Sequence, residues 1–241
     1  MPIRNPADIA AHAALTTGVH GVGARHVAGI EAAGAEAPLK IHTLTPSRMY
    51  LHTDWQTLDK WHEEYVGSGA RNVWGILKLI EETGATINSE ARIYTDSIAG
   101  MPMRNKGNML FGKLQNWGII PTNCTYLFGI WDDAVAKPPS LTAKHVGWKV
   151  INQRIWATNA DGTTEKATDT GIDMDDTYTS KGLLTVCTET GAEIEYYVDD
   201  VLKATHTTNI PPYMNVYIYF SIKNTEAANK KCNLRTINVL S

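Results

Sequence analysis

The chain has 241 residues, a net charge of −3 and 43% hydrophobic residues, enough apolar material for one sizeable core. Lys and Arg form no block, which excludes a phosphate-tracking groove and makes nucleic acid a poor partner. Cys124, Cys187 and Cys232 are odd in number with no C-x-x-C, and no apolar run approaches the roughly 20 residues of a membrane span. A disulfide framework and a structural zinc site are therefore not expected. The pattern predicts a soluble protein, assembled in a reducing cytoplasm and not exported through a cleaved signal.

Residues 1–39 differ in kind from the remainder: they are rich in Ala, Gly and His and contain no aromatic residue. Such a leader cannot build a core alone. Pro6, Ala7 and Asp8 could open a short helix, which Gly18, Gly21 and Gly23 then break. Ile9, Leu15, Val19, Val22, Val27 and Ile30 are too apolar for a solvated linker. Together with His20, they are the candidate attachment and oligomerisation residues. His12, His20 and His26 have no acidic or thiol partner at a familiar spacing, so no metal and no cofactor are expected there.

Residues 40–241 form the predicted main domain. Arg48–Thr53 is a candidate strand, whereas Trp55, Leu58, Trp61 and Tyr65 recur at helical spacing behind Asp54. Further strands are expected at Val73–Ile80, Arg92–Thr95, Met109–Leu114, Tyr126–Trp131, Gly147–Asn152, Arg154–Thr158 and Leu183–Thr188. Tyr213–Lys223 and Asn233–Leu240 close the series. Gly, Pro and Asn clusters separate them, a pattern that favours an antiparallel sandwich over a βαβ fold. The clearest element is the stretch from Glu193 to Pro211. Ile194, Tyr196 and Val198 share one strand face, Glu193, Glu195 and Tyr197 the other, and Val201–Thr207 returns as a hairpin. Its corner, Asp199-Asp200, needs positive φ at both positions or a longer loop.

That hairpin, the segment WKVINQRIWATNADGTTEKATDTGI (148–172) and the closing YIYFSIKNTEAANKKCNLRTINVL (217–240) resemble concanavalin A-like, or laminin G-like, jelly-roll domains of bacteriophage virion proteins. The resemblance implies an all-β, two-sheet sandwich over residues 40–241, with Trp55 to Tyr65 opening it. The leader string DIAAHAALTTGVHGVGA (8–24) resembles the His/Gly-rich motif of tail-fibre and other virion proteins, where it sits at attachment or trimerisation segments. Together these imply a virion structural protein, such as a capsid decoration, head fibre or tail-fibre module, assembled in the host cytoplasm. Residues 1–39 would contact other virion proteins, and a homotrimer is expected by analogy.

The chemistry-bearing patterns are sparse. No G-x-S-x-G, H-E-x-x-H or phosphate-cradling Gly-Lys-Thr occurs. Glycoside hydrolysis needs two carboxylates roughly 5 to 9.5 Å apart. Glu193 with Glu195, or Asp173 with Asp175, could meet that distance, but neither pair lies in the Glu-x-Asp-x-(x)-Glu strand of jelly-roll glucanases. The chain is therefore expected not to be an enzyme. Asp169, Asp173, Asp175 and Asp176 form an acidic loop that could suit calcium, without the twelve-residue loop pattern. Trp131, Trp148 and Trp156, with Asn159 and Asp161, are the candidates for a host glycan, because an indole stacks on a sugar's C–H face while amide and carboxylate groups meet its hydroxyls.

Overall fold

The computed structural model describes residues 49–53, 61–67, 70–75, 78–96, 98–101, 109–116, 121–132, 135–136, 139–175, 180–188, 191–211 and 214–240. The leader candidates Ile9, Leu15, Val19, His20, Val22, Val27 and Ile30 lie outside these residues, as do Trp55, Leu58 and Asp176. The described residues form sixteen strands and no helix, all within one compact unit.

Sheet I runs in the order β14 (Val201–His206), β13 (Ile194–Val198), β12 (Ser180–Cys187), β7 (Met109–Asn116), β16 (Lys231–Leu240), β4 (Lys78–Glu82) and β3 (Arg71–Gly75), with β1 (Met49–Thr53) also paired to β16. Sheet II runs β11 (Glu165–Asp173), β10 (Arg154–Ala160), β9 (His145–Ile151), β8 (Cys124–Asp132), β15 (Met214–Asn224), β5 (Glu90–Thr95) and β2 (Trp61–Val66), with β6 (Ile98–Met101) also on β15. Every pairing is antiparallel, so the chain is the all-β two-sheet sandwich that its alternating patterns predict.

Period-two alternation decides which side chains meet between the sheets. Sheet II sends Tyr126, Phe128, Trp148, Ile155 and Phe220 inward; sheet I sends Leu114, Leu183, Tyr196 and Leu234. Trp148 and Tyr196 meet edge to face, their ring centroids 5.2 Å apart. The Tyr196 hydroxyl donates to the Thr158 carbonyl at 3.0 Å and so ties the sheets together. A second tie closes the edge where β11 and β14 face each other. There the His206 Nδ1–H donates to Asn159 Oδ1, and its Nε2 accepts from the Thr168 hydroxyl at 2.8 Å. Burial holds the ring neutral, with the His206 pKa lowered to about 4 and the nearby Lys166 charge acting in the same sense. Cys124, Cys187 and Cys232 are free thiols buried in the core.

The hairpin corner takes the tight form. Asp199 and Asp200 have φ of 49° and 65°, the left-handed pair that a two-residue primed turn requires. Each costs roughly 1 kcal/mol relative to glycine. Asp199 offsets this by accepting the Gly182 N–H at 2.8 Å and facing Lys181 Nζ at 3.4 Å. Trp61 to Val66, ambiguous from its helical spacing alone, is a strand of the sandwich because it pairs residue for residue with β5 from Trp61↔Thr95 to Val66↔Glu90. One expected strand needs correction. Val73 to Ile80 is not one strand but the hairpin β3–β4, paired from Arg71↔Glu82 to Gly75↔Lys78.

Candidate functional site

The outer face of sheet II carries most of the chemistry in the described residues. Its floor is set by two facing glycines on the central strands, Gly129 and Gly147. A Cβ on Gly147 would lie 2.4 Å from the Phe128 carbonyl oxygen, and one on Gly129 would lie 2.6 Å from that of Val146 and 3.0 Å from the Trp131 ring. Only glycine permits that approach of β8 to β9 and lets the Trp131 indole lie over the strand. Aromatic rings then run across the face from β9 to β2. His145 stacks on Trp131 at 4.9 Å, Trp131 meets Tyr219 at 5.7 Å, Tyr217 lies 6.1 Å from both Tyr219 and Tyr94, and Tyr94 stacks on His62 at 5.2 Å. Val135 and Leu141, from the connection between β8 and β9, pack on this band and make it a second small core.

Beside the band lies a buried polar chain. His145 Nδ1–H donates to the Ala143 carbonyl at 2.8 Å, leaving Nε2 facing the Thr158 hydroxyl at 3.0 Å. That hydroxyl lies 2.6 Å from Glu165 Oε1, which Lys149 Nζ also reaches at 2.6 Å. The hydroxyl has a single proton, donated to Glu165, for which His145 Nε2 competes. Burial lowers the His145 pKa to about 4, against the opposing pull of its bond to Ala143 and of the Glu165 charge. Burial alone would raise the Glu165 pKa, but hydrogen bonds from Lys149 and Thr158 and the Lys149 charge outweigh it and hold the carboxyl below its usual range.

The face opens at Trp156, the half-buried member of the three candidate tryptophans. On β10 it pairs with Lys149 of β9 and Asp169 of β11, and Lys149 Nζ stands 5.9 Å from its ring centroid. Arg154, two residues back on the same face, lies 3.1 Å from Asp173 and 3.6 Å from Asp169. An exposed indole edge with carboxylate, guanidinium and ammonium groups on either side can stack on an apolar ring face and hydrogen-bond to hydroxyls. Asp169 and Asp173 thus lie on strand β11 rather than in the expected acidic loop, each paired with the Arg154 guanidinium. Among the described residues no group of three or more acidic, His or Cys side chains could hold a metal.

The other glycan candidates are placed differently. Trp131 and Trp148 have no exposed surface, the first under Val135 and Leu141 and the second in the main core, so neither can stack on a ligand. Asn159 is equally buried, and its amide is spent on the Thr208 and Asn209 carbonyls at 3.0 and 2.6 Å. Asp161 shapes the β10–β11 turn by accepting from the Thr163 hydroxyl and from the Thr163 and Thr164 N–H groups, the first of which does most to lower its pKa. The sequence reading missed Lys149, Arg154 and Glu165. Their signal is the alternation His145-x-Gly147-x-Lys149 opposite Leu127-x-Gly129-x-Trp131, which marks one face of two adjacent strands.

Carboxylates suited to hydrolysis also sit elsewhere than expected. Glu195 is buried on sheet I and accepts from the Tyr197 hydroxyl at 2.7 Å, and Glu193 lies outside β13. The outward positions of β8 and β9 carry no carboxylate, and Glu165 is separated from Glu90 by five strand spacings, about 24 Å. Closer together are Glu64 and Glu90, which share one guanidinium. Arg92 Nε is 3.0 Å from Glu64 and Nη1 is 4.0 Å from Glu90, which keeps the two within the roughly 9.5 Å limit of a hydrolytic pair. The Tyr94 hydroxyl donates to Glu64 at 2.6 Å and that of Tyr219 to Glu90 at 3.1 Å. With Glu64 as acceptor and burial as the larger cause, the Tyr94 pKa is pushed up to about 12.

No family model and no curated protein sequence matches the chain. Solved structures do. The carbohydrate recognition domain of Emp47p superposes with a TM-score of 0.58 at 10% identity, covering 76% of this chain and 89% of that one. The endo-β-1,3-glucanase of Pyrococcus furiosus gives 0.58 at 12% identity, covering 81% and 94%, and the β-glucanase of Bacillus licheniformis gives 0.57 at 10%, covering 81% and 98%. The fold is thus the concanavalin A-like jelly roll, as the hairpin resemblance implies. The expectation of a non-enzyme is overturned by the same finding, because several of the similar structures are glucanases. Lack of a linear catalytic motif therefore gives no ground for excluding catalysis.

Proposed function

We propose that this chain is a lectin-like carbohydrate-binding domain whose ligand lies along the outer face of sheet II at Trp156. The observation that carries the reading is the half-exposed Trp156 ring, bracketed by Lys149 on one side and by Asp169 and Arg154 on the other. The site's cations are both engaged by carboxylates, Lys149 by Glu165 and Arg154 by Asp173, so the patch carries no surplus positive charge. This favours a hydroxyl-rich neutral glycan over an anionic one. A glycan array with the full chain tests it. Trp156→Ala should lower affinity about tenfold or more, about 1.4 kcal/mol, with an unchanged melting temperature. Equal binding by variant and wild type would overturn the reading.

A second reading, polysaccharide hydrolysis, is favoured by the Glu64 and Glu90 pair on Arg92. Release of reducing ends from β-glucans, lost in Glu64→Gln, is the expected result. Release unaffected by that change removes the pair from consideration.

The domain's setting is read from the leader. Residues 1–39 lack every aromatic residue yet carry Ile9, Leu15, Val19, Val22, Val27 and Ile30, which supports a virion protein that displays the sandwich on a homo-oligomer, a trimer by analogy. Apolar side chains gain about 25 cal/mol per Å² when another chain covers them. Light scattering of the full chain tests this, and a monomer at all concentrations would overturn it.

A further inference from the structure

Of the two ion-paired groups that flank Trp156, only one is held still. Arg154, Asp169 and Asp173 keep 36%, 44% and 39% of their side chains exposed, so solvent screens them. Lys149 and Glu165 keep only 10% and 21%, and their contact crosses β10 at Thr158, two residues along the same face from Trp156. One carboxylate oxygen carries every bond: Glu165 Oε1 takes both the Lys149 ammonium and the Thr158 hydroxyl, each at 2.6 Å. Glu165 Oε2 takes no hydrogen bond from the protein, yet it is not sealed in. A carboxylate that served only to hold strands together would satisfy its lone pairs on both oxygens. Against the upward push of burial, the bonds from Lys149 and Thr158 keep the group ionised at neutral pH, so Oε2 acts only as an acceptor. Lys149 has three N–H donors and gives one to Glu165. Beside the pair, the outward row of β11 reads Glu165, Ala167, Asp169. The small Ala167, in register with Thr158, therefore leaves a notch between two carboxylates.

We infer that Glu165 Oε2 and Lys149 Nζ together grip a vicinal diol of a pyranose packed against Trp156, one hydroxyl donating to the carboxylate and its neighbour accepting from the ammonium. The inference rests on the glycan reading of the Trp156 patch and names the ligand chemistry that the patch selects. Reach is adequate, because Lys149 Nζ stands 5.9 Å from the Trp156 ring centroid and Glu165 rests directly on it. A pyranose seated over the Ala167 notch thus meets the indole and the charged pair at once. A donor and an acceptor side by side fit two hydroxyls on adjacent carbons. An ether in place of the donating hydroxyl has no proton to give, and it leaves the carboxylate oxygen desolvated and unmatched. Preorganisation favours the same pair over Asp169 and Arg154. Thr158 and Lys149 already fix the carboxylate, so binding orders no further side chain there.

The test uses the full chain and simple neutral probes: methyl β-glucoside, methyl β-galactoside and methyl α-mannoside, each beside its 2,3- and 3,4-di-O-methyl ethers. NMR titration reads affinity, with thermal melting as the folding control. The expected results are binding of at least one glycoside and a loss of about tenfold or more when one of its vicinal pairs is methylated. Glu165→Gln should lose as much for the parent glycoside and show no further penalty for that ether, the signature of a coupled pair. Ala167→Leu fills the notch without touching a charge and should lose binding as well. It carries the test with the ethers if Glu165→Gln, which leaves Lys149 unpaired, melts early. Binding that Trp156→Ala abolishes, but that methylation, Glu165→Gln and Ala167→Leu leave unchanged, overturns the diol grip while the Trp156 reading stands. Equal binding by wild type and Trp156→Ala, or no binding of any of the glycosides, overturns both.

Discussion

The two outer faces of the sandwich share one antiparallel grammar but are completed in opposite ways. On sheet II the chain supplies its own cover: Val135 and Leu141 fold over Trp131, Tyr217, Tyr219 and Tyr94, leaving the β10–β11 side open around Trp156. On sheet I the outer face is buried at Val186, Glu195 and Asn233 and opens towards β14, where Leu202 is 47% exposed. The difference teaches that an apolar outer face has to be read together with what the chain places over it. A capped face becomes a second core whose polar margin can be shaped for a ligand, whereas an open sheet edge leaves its side chains to solvent.

The largest effect should come from the strand floor. Gly147→Ala puts a methyl group against backbone 2.4 Å away and should cost about 3 kcal/mol or prevent folding. Gly182→Ala, whose nearest neighbour is the Phe111 ring at 3.4 Å, should change the melting temperature little. Equal tolerance of the two would show that the faces are not built to different tightness.

Acid should act next. His145 and His206 both have pKa values lowered to about 4 by burial, whereas an unfolded chain titrates near 6.5. Between these values the unfolded state binds more protons, so stability present above about pH 6.5 is lost as pH falls towards about 4, up to about 3 kcal/mol for each group. Denaturant melts across that window check it. His145→Gln and His206→Gln should each remove part of the slope, and an unchanged slope in both would assign the loss to other groups.

A smaller contrast separates the cover of sheet II from the edge of sheet I. Leu141→Ala should cost about 2 kcal/mol, towards the low end for a partly buried leucine. Leu202→Ala, at 47% exposure, should alter stability by less than about 0.5 kcal/mol. Urea melts of the two variants distinguish them.

The strand series was legible because alternation is a local property. The residues of β13 and β14 announce their inner face, and Asp199-Asp200 announces its turn. What the sequence hides is which of a strand's two faces meets cover. Trp131, Trp148 and Trp156 look alike in a list of strand tryptophans, yet only register separates core, capped band and open patch. Lys149 and Glu165 are 16 residues apart, joined by the return of β10 along β9 and of β11 along β10, and nothing in either local pattern advertises the 2.6 Å contact. The helical spacing of Trp61 and Tyr65 misleads for the same reason, since pairing with β5 overrides it.

The burial of Cys124, Cys187 and Cys232 has a practical corollary. Removal from water pushes the Cys124 and Cys187 thiols up to about 12, so almost no thiolate exists at physiological pH to meet an oxidant or an alkylating reagent. The native fold thereby shields its three cysteine thiols from redox chemistry. Denaturation uncovers three reactive groups per chain, so the rate of maleimide labelling reads out global opening without any engineered probe.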